Sequence, residues 1–253
     1  MMSIDFLGLR LLVTHEAAAA DWLLGLARRE AVSPTLVCHG NCYNLYCYAQ
    51  QQGLSEALFR RAEVLFEGIA LKAATLIARG TWLPDVNATD LFPLVMRRAP
   101  TDLRVFLLGS RPEVLARARE VIESRWPHVR VIGAEAGYFE TAEAACILAR
   151  INDARPDILL LGLGCPYQEQ LALAWADQLQ VRVVWTVGGL FDTLSGTKKR
   201  APRWMRRARL EWLFRLGCEP RRLWRRTFVA VPWLALRILT QRISILKHRI
   251  SST

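Results

Sequence analysis

The sequence predicts an α/β fold, a mostly parallel sheet with helices on both faces, followed by a basic helical C-terminal appendage. Three observations carry this expectation. Short aliphatic or β-branched runs alternate with amphipathic segments, and the runs end in loops marked by glycine. The runs are apolar throughout, as strands covered on both faces are, and that is the setting of a parallel sheet. The charge is also segregated: residues 197–253 hold 16 Lys and Arg against two acids, Glu211 and Glu219, whereas the other 196 residues hold 18 basic and 21 acidic groups.

Three segments show the strand–loop–helix grammar most clearly. In "LRVFLLGSRPEVLARAREVIESRW", Leu103 to Leu108 reads as a strand and Gly109-Ser110 as the turn. Pro112 then falls near a helix start, where its missing N–H is harmless. In "PDILLLGLGCPYQEQLALAWADQL" the strand runs from Asp157 to Leu163 and a helix begins near Pro166. "VRVVWTVGGLFDTLSG" gives a strand from Val181 to Val187 that enters a Gly-rich loop, and "HVRVIGAEAGYF" supplies a further strand. Nearer the N-terminus, "PTLVCHGN" predicts a strand ending at Gly40-Asn41, with a helix over "YNLYCYAQQ". "AEVLFEGIALKAATLIARG" predicts a strand, a Glu67-Gly68 turn and a helix. No solenoid period or low-complexity tract interrupts the chain. The expected division is a core over 1–196 and an appendage over 197–253 that completes the site.

Within the appendage, "RWMRRARLEWLFRLGCEPRRLWRR" sets aromatic and aliphatic residues among arginines, with Gly217 and Pro220 interrupting the helix. "FVAVPWLALRILTQRISILKHRI" places Leu236, Leu239, Ile243 and Leu246 at helical spacing, with Arg237, Arg242, Lys247 and Arg249 elsewhere on the wheel. Such a helix suits an anionic bilayer surface.

A chain of 253 residues with 52% hydrophobic composition can build a sizeable core and is not a disordered polymer. Its net charge of +11 points to a polyanionic partner: nucleic acid, acidic lipid or a phosphorylated ligand. Cys38, Cys42, Cys47, Cys146, Cys165 and Cys218 form no C-x-x-C pair, which favours ordinary thiols in a reducing compartment over a metal site. The N-terminal "MMSIDFLGLRLLVTHEAAAADW" lacks a basic n-region. The longest apolar run, Phe228 to Leu236, is nine residues, well short of the ~20 a membrane span needs. The expectation is a cytoplasmic protein peripherally associated with the inner face of the membrane.

In open α/β sheets, ligands bind beyond the carboxyl ends of the strands. Four loops qualify: those at Asn41, Glu67-Gly68, Cys165 to Gln168 and Gly188 to Ser195. No G-x-G-x-x-G, P-loop or G-x-S-x-G is present, and His15, His39, His128 and His248 show no triad spacing. These absences argue against a dinucleotide dehydrogenase, a nucleoside triphosphatase and a serine hydrolase. In "GCPYQEQ", Gly164 permits a tight turn, Gln168 can hydrogen-bond a sugar or base, and Glu169 complements the helix dipole. Gly188-Gly189 lets a ligand approach the backbone, while Asp192 either meets ribose hydroxyls or caps a helix. Glu67, Asp85 and Asp90 are the carboxylates near turns. The arginines at 200, 203, 206, 207, 209, 215, 221, 222, 225 and 226 are too many for one ligand; most face solvent or lipid and a few clamp a diphosphate.

In their order along the chain, "NATDLFP", "VFLLGSRPEV", "GYF", "LLLGLGCPYQE", "TVGGLFDTLSGTKKRAPRWM" and "LEWLFRLGCEPRRLWRR" resemble the WecG/TagA/CpsF family of bacterial glycosyltransferases over roughly residues 33 to 226. The resemblance implies a Rossmann-like core and an inverting, metal-independent reaction with no cofactor. The donor it implies is a UDP-sugar, and the acceptor an undecaprenyl-diphosphate-linked monosaccharide at an anionic inner-membrane surface. The product would serve exopolysaccharide or another cell-surface polysaccharide, with no nucleic-acid partner; a homo-oligomer is left open. The family's base, an Asp before a Gly at the end of the second strand, corresponds to Glu67. Its Thr-x-Asn becomes His39-Gly40-Asn41, the Arg ahead of its Gly-x-Asp-Leu is replaced near Asp85, and that Gly is Ala88. Catalytic roles are thereby implied for Glu67, Asn41 and Gln168. Substrate contacts are implied at His39, Asp90, Gly164, Gly188, Gly189, Asp192, Arg200, Arg215, Arg222 and Arg225. The departures make UDP-glucose a candidate donor beside UDP-N-acetylmannosamine. Composition alone also admits a non-enzymatic nucleic-acid or acidic-lipid binder acting through the basic tail, whose binding would weaken steeply with salt.

Overall fold

A computed structural model describes residues 1–30, 32–202, 204, 205 and 210–251, with the backbone alone for Arg222 and residues 241–251. Eight strands form one sheet: β1 (Met2–Phe6), β2 (Leu9–Val13), β3 (Thr35–Gly40), β4 (Ala62–Phe66), β5 (Leu103–Gly109), β6 (Val129–Glu135), β7 (Ile158–Gly162) and β8 (Val183–Thr186). Their order is β1-β2-β4-β3-β8-β7-β5-β6. Only β1 runs antiparallel to its neighbour, so the chain has the α/β, mostly parallel architecture its apolar runs predict.

Helices cover both faces: α1 (Glu16–Arg28), α2 (Cys42–Gln50), α3 (Leu54–Arg61), α4 (Ile69–Arg79), α5 (Ala88–Arg98), α6 (Pro112–Arg125), α7 (Ala144–Ala154), α8 (Tyr167–Trp175) and α9 (Leu190–Leu194). The strand period of two divides each run between two cores. On β7, Leu159 and Leu161 enter one apolar cluster, and Ile158 and Leu160 enter the other. The N-terminal hairpin β1–β2 is an addition that the strand–loop–helix grammar does not predict. Leu9, Leu11 and Val13 face the core while Arg10 is exposed, and Leu7 and Gly8 make the turn at positive φ.

Among the described residues the chain continues with α10 (Glu211–Cys218), α11 (Pro220–Phe228) and α12 (Ala230–Ser251). The interruption expected at Gly217 and Pro220 falls at Glu219. Gly217 stays inside α10, and Pro220 opens α11, where a missing N–H has no helical acceptor to lose. Helix α12 lies along α2 and α4. Its Ala230, Leu234 and Ile238 are buried in the same apolar cluster as Cys38, Val64 and Phe66. The side chains of Arg242, Ile243, Leu246, Lys247 and Arg249 lie outside the described residues. Among the described residues no helix is long and apolar enough to cross a membrane.

Candidate active site

Strands β4, β3, β8 and β7 are consecutive neighbours in the sheet, so the four loops singled out in the sequence emerge side by side along one edge. Two cavities open there, of about 540 and 790 Å³. The smaller reaches over Gly164, Gly188, Gly189 and Lys198; the larger lies over Ile69, Ala70, Ala73, Trp212 and Val231. Asn41, Tyr43, Glu67, Thr89, Arg215, Leu223 and Arg226 line both, so Glu67 stands where the two cavities meet.

Backbone geometry fixes Glu67 in that position. Its N–H donates to the Gly40 carbonyl at 3.1 Å, a last sheet contact beyond the end of β4. Gly68 then takes φ 97°, a conformation that favours glycine, and caps α4. The Gly68 N–H donates to Asp85 Oδ2 at 3.2 Å, while Asp85 Oδ1 pairs with the buried Lys72 ammonium at 2.8 Å. Asp85 therefore secures the start of α4. The Glu67 side chain is 24% exposed, with Oε2 3.4 Å from His39 Nδ1.

His39 borders the smaller cavity, and its ring is held within the protein. It is buried, Nδ1 is 3.3 Å from the Val86 carbonyl, and the Trp185 indole N–H lies 3.0 Å from Nε2. Both ring nitrogens meet protein atoms, which places the imidazole behind Glu67. Asn41 caps α2 through Oδ1, which accepts from the Asn44 N–H at 3.0 Å, while the residue borders both cavities.

Gln168 lies under the smaller cavity and is also engaged within the protein. Its Oε1 accepts from the Gly164 N–H at 3.3 Å and from the Gly188 N–H at 3.1 Å, so one amide ties the exits of β7 and β8 together. Its Nε2 donates to Glu169 Oε1 at 2.7 Å. Gln168 thus has a loop-bridging role while it borders the smaller cavity. Glu169, read from the sequence as complementing the helix dipole, is fully buried, and burial holds its carboxyl above the ordinary range against the opposing Gln168 hydrogen bond. Its Oε2 has no protein hydrogen-bond partner among the described residues. Gly164 and Gly188 adopt positive φ, 84° and 54°, and bring backbone to the cavity. Asp192 does not reach it: Oδ1 accepts from Ser110 Oγ at 3.3 Å and Oδ2 pairs with Lys198. Asp192 thus braces the β5 and β8 exits.

The model of the glycosyl transferase WecG/TagA/CpsF family matches residues 4–248. The chain belongs to that family. It is a glycosyltransferase, so the paired cavities belong to an enzyme that joins a sugar donor to an acceptor.

In this transferase the C-terminal helices roof the site. Arg200 Nη2 donates to Asp90 Oδ1 at 2.8 Å and lies 3.7 Å from Glu211 Oε2, while its buried Nε has no partner among the described residues. Asp90 itself sits in the first turn of α5 beside the capping Asn87, whose Nδ2 donates to Asp90 Oδ2 at 2.7 Å. Arg215 borders both cavities and pairs with Glu211 at 2.6 Å. Arg225 is exposed and stacked on Trp224, 5.6 Å from the ring centroid, outside both cavities. The Arg222 side chain, with Arg203, Arg206, Arg207 and Arg209, lies outside the described residues. Arg226 is the cation the sequence reading leaves unassigned. It lies 4.8 Å over the Tyr43 ring and borders both cavities, with burial holding its guanidinium below the ordinary range and Glu67 opposing that. Its spacing of three from the buried Leu223 is the signal that finds it, because those positions share a helix face.

The thiols are unpaired. Cys47 and Cys165 adjoin: the Cys165 hydrogen bond brings Cys47 down to about 7, and the same contact with burial pushes Cys165 up. Burial raises Cys42 to about 12. Among the described residues no three His, Cys, Asp or Glu side chains gather as a metal-ligand set.

Proposed function

We propose that this glycosyltransferase moves a hexose from a UDP-sugar to an undecaprenyl-diphosphate-linked monosaccharide at the inner membrane face, with inversion and without a metal. The observation that carries the reading is the position of Glu67, at the junction of two cavities that Arg226 also lines. The smaller cavity, edged by glycine backbone and by Lys198 and Arg200, suits a nucleoside diphosphate. The larger sets the apolar Ile69, Ala73, Trp212 and Val231 beside Glu67, Asp90, Glu211 and Arg215, a mixed lining that suits a sugar carried on a lipid. Exposed Trp212, Leu213, Trp224, Phe228, Leu236 and Leu239 on the roof helices support docking on a bilayer.

In the reaction, Glu67 takes the proton of an acceptor hydroxyl as its oxygen attacks the anomeric carbon of the donor. The bond from that carbon to the diphosphate breaks on the opposite face, and UDP leaves with the electron pair. A positioned base contributes ~10²–10⁴-fold to such a transfer. Arg226, Arg215 and Arg200 are the cations placed to stabilise charge on the departing diphosphate.

The test is UDP release by the full chain on anionic vesicles carrying an undecaprenyl-diphosphate monosaccharide, offered UDP-glucose or UDP-N-acetylmannosamine. Acceptor-dependent release with one donor is expected. Glu67→Gln should lower it by ~10²–10⁴-fold while UDP still binds. A protein that binds neither UDP nor UDP-sugar, yet binds nucleic acid with a steep salt dependence, would return the basic tail to a polyanion-binding role.

A further inference from the structure

Behind Glu67 lies a chain of contacts whose hydrogen placement follows from its geometry. The Trp185 indole is a donor only, and its Nε1 is 3.0 Å from His39 Nε2. A proton on Nε2 would set two N–H donors against each other, so Nε2 accepts and the ring hydrogen sits on Nδ1. That N–H donates to the Val86 carbonyl at 3.3 Å, and Glu67 Oε2 stands at ion-pair distance, 3.4 Å from the same nitrogen. The imidazole is buried and its ring lies at 26° to the Trp185 indole, with centroids 6.3 Å apart, so packing limits its rotation.

We propose that His39 is a positioning residue for Glu67: its Nδ1–H, held in that tautomer by Trp185, engages Oε2 and leaves Oε1 for the acceptor hydroxyl. The proposal rests on the reading of Glu67 as the base. A carboxylate on a longer side chain samples more rotamers, and a buried donor on one oxygen selects the orientation in which the other faces the cavities. In the resting structure Nδ1–H is bonded to Val86 with Glu67 Oε2 beside it, and the Glu67 bond is expected to form as a substrate closes the site. His39 is not itself the base, since its only lone pair is engaged by Trp185.

Two measurements test it. In full-length protein labelled with ¹⁵N-histidine, His39, assigned by its loss in His39→Asn, should show a protonated Nδ1 and an unprotonated Nε2. The Nδ1 resonance should move in Glu67→Gln. A proton on Nε2, or a resonance indifferent to Glu67→Gln, overturns the proposal, whether or not Glu67 is the base. In the vesicle assay, with the donor giving UDP release, His39→Leu should lower kcat by roughly 10- to 100-fold at unchanged donor KM, the loss of one hydrogen bond to a charged group. His39→Asn, which keeps an N–H near the Nδ1 position, should recover most of that loss, and His39→Leu should add little in a Glu67→Gln background. Losses that multiply in the double variant overturn the relay. Wild-type turnover in Glu67→Gln overturns the base reading instead, and the resonance of His39 still decides whether the contact exists.

Discussion

Arg200 Nη2 lies 2.8 Å from Asp90 Oδ1, joining the start of the basic tail to the first turn of α5 across 110 positions of sequence. The pair fixes the guanidinium at the edge of the smaller cavity with a buried Nε that no described protein group satisfies. On the proposed reading, the rest of the guanidinium fork meets the donor diphosphate. Arg200→Lys keeps the charge and loses the fork, so UDP affinity should fall by roughly tenfold, the value of one charge-assisted hydrogen bond. Calorimetric titration with UDP reads this directly, and unchanged affinity would remove Arg200 from the diphosphate site.

Gln168 joins two strand exits through one amide, and its removal should be felt as stability before it is felt as chemistry. Gln168→Ala leaves the Gly164 and Gly188 N–H groups without their acceptor and deprives Glu169 of its donor. The expected loss is about 1–3 kcal/mol in urea unfolding. Gln168→Glu should fare worse, because a second carboxyl would stand against Glu169 Oε1. If Gln168→Ala abolishes turnover with no change in unfolding midpoint, the side chain acts on substrate instead.

The strand ends that build this site are legible because β3, β4, β7 and β8 are apolar runs closed by glycine or by a helix-capping residue, a local pattern. The hairpin β1–β2 is less legible, since five-residue strands leave little room for alternation to declare itself. Helix α5 is hidden by Pro93 in its interior. Side-chain roles fade further because they depend on distant partners. His39 is turned behind Glu67 by Trp185, 146 positions away, and Asp192 is drawn off by Ser110, 82 positions away. Arg226 replaces Arg225 at the cavity because the phase of α11 is set by where Pro220 restarts the helix.

Glu169 gives the fold a signed dependence on pH. Burial raises its folded pKa above that of the unfolded chain, so the folded state holds the proton more tightly. Below the unfolded value both states are protonated and the contribution is fully present. As pH rises past that value the unfolded chain releases its proton first, and stability is lost progressively until the folded pKa is passed. Glu169→Gln keeps an oxygen to accept from Gln168 and has no proton to lose. The stability difference between Glu169→Gln and wild type should therefore shift in favour of the variant as pH rises above the ordinary carboxylate range, read from urea midpoints. A difference that is flat with pH would mean that the carboxyl ionises alike in both states.

Helix α12 separates stability from docking on its two faces. Leu234 and Ile238 are 3% and 6% exposed and pack into the core, and the neighbouring Trp233 meets Tyr46 edge to face at 5.7 Å. Leu236 and Leu239 on the same helix are 62% and 57% exposed. Leu234→Ala should lower unfolding stability by about 2–5 kcal/mol, as truncation of a buried leucine does. Leu236→Ser with Leu239→Ser should leave that stability nearly unchanged and reduce affinity for anionic vesicles by roughly tenfold, since side chains entering the interface lose apolar transfer energy. Sedimentation with vesicles and urea unfolding, run on both variants, give opposite patterns if the exposed face meets lipid. Vesicle binding that survives the paired serine change would place the docking on the arginines alone, and such binding should then vanish at high salt.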